Sequence, residues 1–322
     1  SAQISASPFQ RSPQAPVDGR QGVLNPPTMT LDAALHDIDR GCRSGAVIRD
    51  RDILEAHAGD ESEAKRVLPE AVVRVSTPQE AAAVMKACSA HRIPVTPRSG
   101  GTGRVGGAVP TPGGIVVAFE RMNEIKGIEG DDLRVITQPG VILADLHRAV
   151  ESAGLFYAPD PNSLESCRLG GNIACNAGGP RAFKYGVTRN WVLGLEIVTA
   201  AGDILKVGKP TAKGVTGYDL AGLIVGSEGT LALVTEATLR LVPKPGGVRT
   251  LMVFLPDQET LQQSIGVCLR RGIVPRCLEF LDRLALEILK PKAGLPVPEG
   301  SGAMLLVEVD GDPRELERAV EE

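Results

Sequence analysis

Aromatic residues are scarce in this 322-residue chain, which has one Trp, three Tyr and six Phe. Proteins that grip single strands stack bases on such rings. With a net charge of −4 and basic residues scattered along the chain, nucleic acid is excluded as the main partner. No apolar run approaches the roughly eighteen residues of a membrane-spanning helix, so no transmembrane segment is expected. The cysteines (Cys42, Cys88, Cys167, Cys175, Cys268 and Cys277) form no C-x-x-C and have no neighbouring His pair, so no metal site is expected. Reduced thiols and a cytoplasmic location are the expectation. The chain starts with neither an initiator Met nor the basic-then-apolar pattern of a signal peptide, which suggests a processed chain or a fragment.

What is present is the composition of an ordinary protein of mixed helices and strands, 43% apolar and 23% charged, long enough for two domains. Residues 1–28, rich in Pro, Ser and Gln, read as a flexible tail. The spacing of Leu31, Leu35 and Ile38, and of Ile53 and Leu54, predicts an N-terminal helical segment over 29–66. Secondary structure is dense over 67–245. A strand at 71–75 leads into a helix capped by Thr77, with Pro78 at its first position and Glu80 completing a capping box. A second strand at 93–97 closes a compact βαβ unit. Strands follow at 114–122 and 132–141, then a helix at 142–154 ended by Gly154. An irregular glycine-rich stretch covers 156–186. Two strands joined by an Ala-Gly-Asp turn cover 191–208, and an apolar run, a glycine turn and an alternating strand cover 220–243. Pro243, Pro245, Gly246 and Gly247 mark a boundary. Residues 246–322 read as a strand, two helices (the second over LEFLDRLALEILK, 278–290), a strand, and a final helix. The apolar stripe of that helix, Leu316 and Val320, lacks a partner strand.

The stretch TPRSGGTGRVGGAVP, Thr96 to Pro110, contains a literal G-x-G-x-x-G at Gly101, Gly103 and Gly106. A dinucleotide-binding fold would need a helix to start inside that motif, because the helix N-terminus receives the pyrophosphate. Here the motif runs into GGAVPTPGG, whose prolines and glycines forbid a helix. No acidic residue follows at the distance that ribose binding wants, and no G-K-[ST] is present. What such a loop can do is turn consecutive N–H groups toward one anion, with the hydroxyls of Ser99 and Thr102 as further donors. A plain flexible loop is the alternative. A second cluster, 159–179, contains Gly170-Gly171-Asn172 and Asn176-Ala177-Gly178-Gly179, whose amides suit a flat heterocycle or could satisfy a buried loop. A third, 225–236, sets Glu228 at a turn, where it binds or merely caps. Three clusters on one β-rich scaffold suggest one long ligand.

Together these stretches resemble the vanillyl-alcohol-oxidase and para-cresol-methylhydroxylase (PCMH) flavoprotein superfamily. Within it they are most similar to the glycolate oxidase catalytic subunit and D-lactate dehydrogenase group. The carrying segments are PRSGGTGRVGGA (97–108), GLFYAPDPNSLESCRLGGNIACNAGGPRAFKYGVT (154–188), GYDLAGLIVGSEGTLALVTEATLRLVPKP (217–245) and IVPRCLEFLD (273–282). The resemblance implies an α+β protein: a PCMH-type FAD-binding domain of two α/β subdomains over 67–245, followed by an incomplete α+β cap domain over 246–322. It also implies that Arg98, Ser99, Gly100, Gly101, Thr102 and Gly103 cradle the FAD pyrophosphate. Gly170, Gly171 and Asn176 would lie along the ribityl chain and the flavin ring, and Glu228 and Val234 on the adenosine or pyrophosphate side. Asp160, Ser166, Asn172 and Gly186 complete the expected cofactor-binding set. Some relatives attach FAD through a histidine where this chain has Thr102, so non-covalent FAD is expected. Relatives usually read GTLGIVTE where this chain has GTLALVTE; Ala232 fits there unless that position holds a positive φ.

The activity implied is oxidation of a small 2-hydroxy acid of the glycolate or D-lactate type, with electrons passing to an acceptor or a partner redox subunit. The histidine-rich segment that supplies the group's metal ligands and proton acceptor is missing from these residues, so no catalytic base is assigned. Arg276 is a candidate for the substrate carboxylate, and Lys184 and Tyr185 read as site residues or as a surface pair. The four histidines, His36, His57, His91 and His147, read as surface or packing residues. Two alternatives stay open: a flavin-binding fragment or subunit that needs a partner, and other chemistry on the same fold, such as an enolpyruvyl-sugar reductase or an ether-lipid synthase relative.

Overall fold

The structure is a computed structural model that describes residues 28–211, 213–294 and 296–321. The expected tail lies, up to residue 27, outside the described residues. The first lobe comprises α1 (Thr28–Gly41), β1 (Val47–Ile48), α2 (Arg51–Ala56), β2 (Ala71–Arg74), α3 (Pro78–His91), β3 (Val95–Arg98) and β4 (Ile115–Ala118). Its sheet runs β1-β2-β4-β3, with β2 and β3 both parallel to β4. All four residues of β4 are buried, as a central strand covered on both faces requires. The expected compact βαβ unit is therefore opened, because β4 sits between β2 and β3. The Thr77 cap forms, with its hydroxyl accepting from the Glu80 N–H at 3.2 Å. Glu80 does not reciprocate to Thr77; its carboxylate accepts from the N–H of Ser76 at 2.7 Å and from Arg43.

The second lobe comprises β5 (Ile125–Glu129), β6 (Arg134–Thr137), α4 (Leu143–Ser152), β7 (Leu155–Phe156), α5 (Leu169–Cys175), α6 (Ala182–Tyr185), a 3-10 turn (Thr188–Trp191), β8 (Val192–Thr199), β9 (Ile204–Gly208), α7 (Leu220–Ile224), β10 (Ala232–Arg240) and β11 (Val242–Pro243). The antiparallel sheet β5-β6-β10-β8-β9 packs one face, with Leu195, Ile197, Ala237 and Leu239, into a core shared with Leu143, Leu146 and Val150 of α4. Val198 and Leu233 instead join the core of the first lobe, which fixes the two lobes together. The stretch expected to be irregular, 156–186, contains the short helices α5 and α6.

Beyond Pro243 come β12 (Gly247–Leu255), α8 (Gln258–Arg270), β13 (Cys277–Asp282), α9 (Arg283–Ala293), β14 (Ala303–Gly311) and α10 (Pro313–Glu321). They form an antiparallel sheet of order β12-β14-β13. The single helix expected over 278–290 is a strand and a helix. Leu278 and Phe280 pair with Val307 and Leu305, and Asp282 then caps α9 by accepting from the Ala285 N–H at 2.8 Å. The final helix does have its strand, since Leu316 is buried against Gly247 of β12.

This last unit is tied to the second lobe by charge. Asp310 is buried and bonds Lys184 Nζ at 2.6 Å and the Tyr185 hydroxyl at 2.8 Å. Arg276, also buried, lies 3.4 Å from Glu308 and 3.6 Å from Asp310. The guanidinium groups of Arg276 and Arg181 lie over the Phe156 ring, 5.6 and 5.3 Å from its centroid. Lys184 and Tyr185 thus form a junction, and the Arg276 charge already has carboxylate partners. Among the described residues no helix is long and apolar enough to cross a membrane, and no group of three or more potential ligands is placed to hold a metal ion.

Two predictions test this packing. Asp310→Ala would leave Lys184 and Arg276 short of a buried counter-charge, and should cost about 3 kcal/mol in denaturant melts. His147 donates from Nε2 to the Pro159 carbonyl at 2.9 Å, and burial above all pushes its imidazole down to about 4. The unfolded chain, with an ordinary histidine, binds the extra proton first as pH falls. The stability this neutral ring contributes is therefore complete above about pH 6.5 and is lost toward pH 4, about 3 kcal/mol in all. Urea melts from pH 7 to 4 should show that loss in the wild type and a flatter profile in His147→Gln.

Candidate functional site

The three glycine-rich segments meet. The loop after β3, the helix α5 and the turn before β10 enclose a cleft of about 360 Å³. Eleven of the expected positions line it: Arg98, Ser99, Gly100, Gly101, Thr102, Gly103, Gly170, Gly171, Asn172, Glu228 and Val234.

The first wall contains no helix between β3 and β4. Gly101 has φ +69°, where a side chain would be strained and would also collide with the guanidinium of Arg98. That guanidinium turns back to the N-terminal segment, donating to the Gly59 carbonyl at 2.5 Å. The Ser99 hydroxyl donates to the Pro139 carbonyl at 2.9 Å, so it braces the loop. Among the described residues, the backbone N–H groups of Gly100, Gly101, Thr102 and Gly103 have no acceptor within the protein. Four such donors at the edge of a cleft form a set that suits an anion.

The second wall is α5. Gly170 is packed so tightly that a Cβ would lie 2.7 Å from Cβ of Pro139 and 3.1 Å from its carbonyl oxygen. Asn172 is buried, and its amide donates to Cys167 Sγ at 3.5 Å. Asn176 ends the helix in the left-handed region, φ +49°, and its side-chain oxygen accepts from the Arg189 N–H at 2.9 Å. It satisfies backbone and does not line the cleft. Cys175, exposed at the end of the helix, does line it. In the third wall Glu228 has φ +54°, and its N–H donates to the Ala174 carbonyl at 2.8 Å. Its carboxylate reaches across to Gly107. Ala232 is an ordinary strand residue paired with Thr199, so the alanine fits.

Asp160, Ser166 and Gly186 also lie off the cleft. The Asp160 carboxylate accepts from the Arg181 N–H at 3.0 Å and pairs with Arg181 Nε at 3.1 Å, and burial raises its pKa. The Ser166 hydroxyl donates to the Ser163 carbonyl at 3.3 Å. Gly186 ends α6 against Asn190. These residues shape the second cluster from behind. Conversely, Asp60, Pro97 and Arg168 line the cleft without having been singled out in the sequence. Asp60 comes from a charged loop with no periodicity, and only the tertiary fold brings it to residues more than forty positions away.

Residues 69–208 match the FAD binding domain family, and residues 244–322 match the C-terminal domain of FAD linked oxidases. The chain is 45% identical to glycolate oxidase subunit GlcD of Bacillus subtilis, over 79% of this chain and 54% of that protein. It is 38% identical to D-lactate dehydrogenase of Anaerostipes hadrus, over 79% of this chain and 55% of that protein. It is 34% identical to D-2-hydroxyglutarate dehydrogenase of Stutzerimonas stutzeri, over 84% and 58%. The chain therefore spans about half the length of the curated relatives it matches. Among solved structures, an alkyldihydroxyacetonephosphate synthase shares the fold with a TM-score of 0.77 at 17% identity, over 89% of this chain and 57% of that one.

The tight wall at α5 makes one prediction. Gly170→Ala forces a methyl group against the ring and carbonyl of Pro139 and should cost about 2 kcal/mol, read as a lower urea midpoint.

Proposed function

This chain belongs to the FAD-linked oxidoreductases of the vanillyl-alcohol-oxidase and PCMH superfamily, and from that premise we propose that it oxidises a small 2-hydroxy acid, of the glycolate or D-lactate type, to the 2-oxo acid. The cofactor is FAD. The observation that carries the reading is the row of unpartnered amides at Gly100, Gly101, Thr102 and Gly103, on a cleft walled by two further glycine segments.

The residues present fit that group. The four amides would hold the diphosphate, since main-chain donors already ordered for an anion cost little rearrangement on binding. Gly170 and Gly171 keep the α5 wall free of side chains, and Val234 on β10 offers apolar contact at the other end. Asp160, Ser166, Asn176 and Gly186 act from behind, by holding the second cluster in shape. Thr102 has no ring nitrogen with which to form a covalent link, so the cofactor is held non-covalently. When bound, FAD supplies the acceptor for the hydride that leaves Cα of the hydroxy acid. The protein contributes position and charge. Arg276 does not serve the substrate carboxylate, because Glu308 and Asp310 occupy it. Electrons then pass to an acceptor or a partner redox subunit, a reading supported by the name of the Bacillus relative, a glycolate oxidase subunit.

The purified chain should be yellow, and acid precipitation should release the colour to the supernatant. Anaerobic addition of glycolate, D-lactate or D-2-hydroxyglutarate should bleach it. A folded chain that stays colourless and takes up no FAD on reconstitution contradicts the cofactor reading. Colour that none of the acids bleaches contradicts the substrate class.

A further inference from the structure

The glycine loop has no helix and no strand of its own, so something else must hold it in one shape. Ordering a free loop of this kind carries an entropic cost at every residue. The holding element lies outside the matched FAD-binding family region, which begins at residue 69. Residues 59–64 lie across the loop as a strap. The Glu61 N–H donates to the Gly103 carbonyl at 3.0 Å, and Arg98 Nη1 donates to the Gly59 carbonyl at 2.5 Å. Gly106 faces the Ala64 methyl, and the Ala108 N–H donates to Asp60 Oδ2 at 3.3 Å. The strap itself is anchored. Leu54 of α2 packs with Val72, Val116 and Ala118 of the first-lobe sheet, and the Val67 N–H donates to the Ala58 carbonyl at 2.8 Å.

Asp60 is the centre of this arrangement. Its Oδ1 accepts from the Ser62 N–H at 3.0 Å and from the Ser62 hydroxyl at 2.5 Å, while Oδ2 takes the Ala108 amide. Burial works to raise its pKa, but these bonds hold the carboxyl below its ordinary range, so it stays ionised at neutral pH. A carboxylate lining a cleft meant for an anion is unfavourable unless its oxygens are already taken by donors that it organises.

We propose that Asp60 is a positioning residue of the cleft: its carboxylate, braced by Ser62, clamps the glycine loop at Ala108 and so keeps the amides of Gly100–Gly103 set for a diphosphate. This rests on the FAD reading for the identity of the ligand, but not for the clamp. The test uses the full chain freed of flavin, comparing wild type, Asp60→Ala, Asp60→Asn and Ser62→Ala. Arg104, exposed within the loop, is a trypsin site. Cleavage after Arg104 should quicken about tenfold in Asp60→Ala, the scale of one lost charge-assisted bond. It should quicken less in Asp60→Asn, which keeps an oxygen for the Ala108 amide. The dissociation constants for FAD and for ADP should rise in the same order, with thermal midpoints within about 2 °C of wild type. Cleavage rate and FAD affinity within twofold of wild type in Asp60→Ala would overturn the proposal, as would equal effects of Ala and Asn. Should Asp60→Ala not fold, Ser62→Ala decides: about threefold faster cleavage supports the clamp, and no change overturns it. If the wild type binds neither FAD nor ADP, the cofactor reading fails while the trypsin series still judges the clamp.

Discussion

The structure turns on a backbone donor problem. A chain that leaves four consecutive N–H groups without acceptors must either expose them to water or aim them at a ligand. Here they stand at the rim of a cleft, in a loop whose glycines remove the side chains that would fill it. Most of the fold can be read as support for that loop. The parallel strands β3 and β4 carry its two ends, and Pro139 braces it through Ser99 and crowds Gly170 at the same time. The strap from the N-terminal segment fixes its far side. The two sheets are joined through Val198 and Leu233, so the walls of the cleft belong to one packed body.

Much of this was legible in the sequence, for identifiable reasons. The refusal of the 96–110 stretch to form a helix followed from its prolines, and the absence of a helix there separates this cleft from a dinucleotide-binding fold with the same glycine spacing. The Thr77 cap followed from side-chain chemistry confined to four residues. The motif segments carried the family, because their glycines and asparagines are set by close approaches that few other residues tolerate. Where the reading went astray, the cause was tertiary. LEFLD alternates like a strand, but it runs without a break into a helical pattern, and only pairing with β14 separates the two. The order β1-β2-β4-β3 depends on a strand inserted from later in the chain. Asn176 and Asp160 look like ligand groups in sequence because their chemistry suits a ligand. In the fold the same chemistry satisfies the N–H groups of Arg189 and Arg181. Asp60 gave no signal, since the loop residue that it holds, Ala108, lies 48 positions along the chain.

The junction with the C-terminal sheet follows a different logic. It is built from buried charges with specific partners, and such charges contribute orientation more than they contribute stability. The desolvated Asp310 carboxylate accepts only one arrangement of Lys184, Tyr185 and Arg276.

Two of those partners, Lys184 and Tyr185, sit on α6, a few residues beyond α5, while Arg276 stands just before β13, so a single short segment carries one wall of the cleft and the seat of the C-terminal sheet. The consequence is one of exchange. A chimera that borrows this sheet from another flavoprotein must import an acid at the place of Asp310, or replace the basic and phenolic seat on α6 with it. Otherwise the graft leaves the Lys184 ammonium and the Tyr185 hydroxyl without their acceptor, and the foreign sheet has nothing to register against.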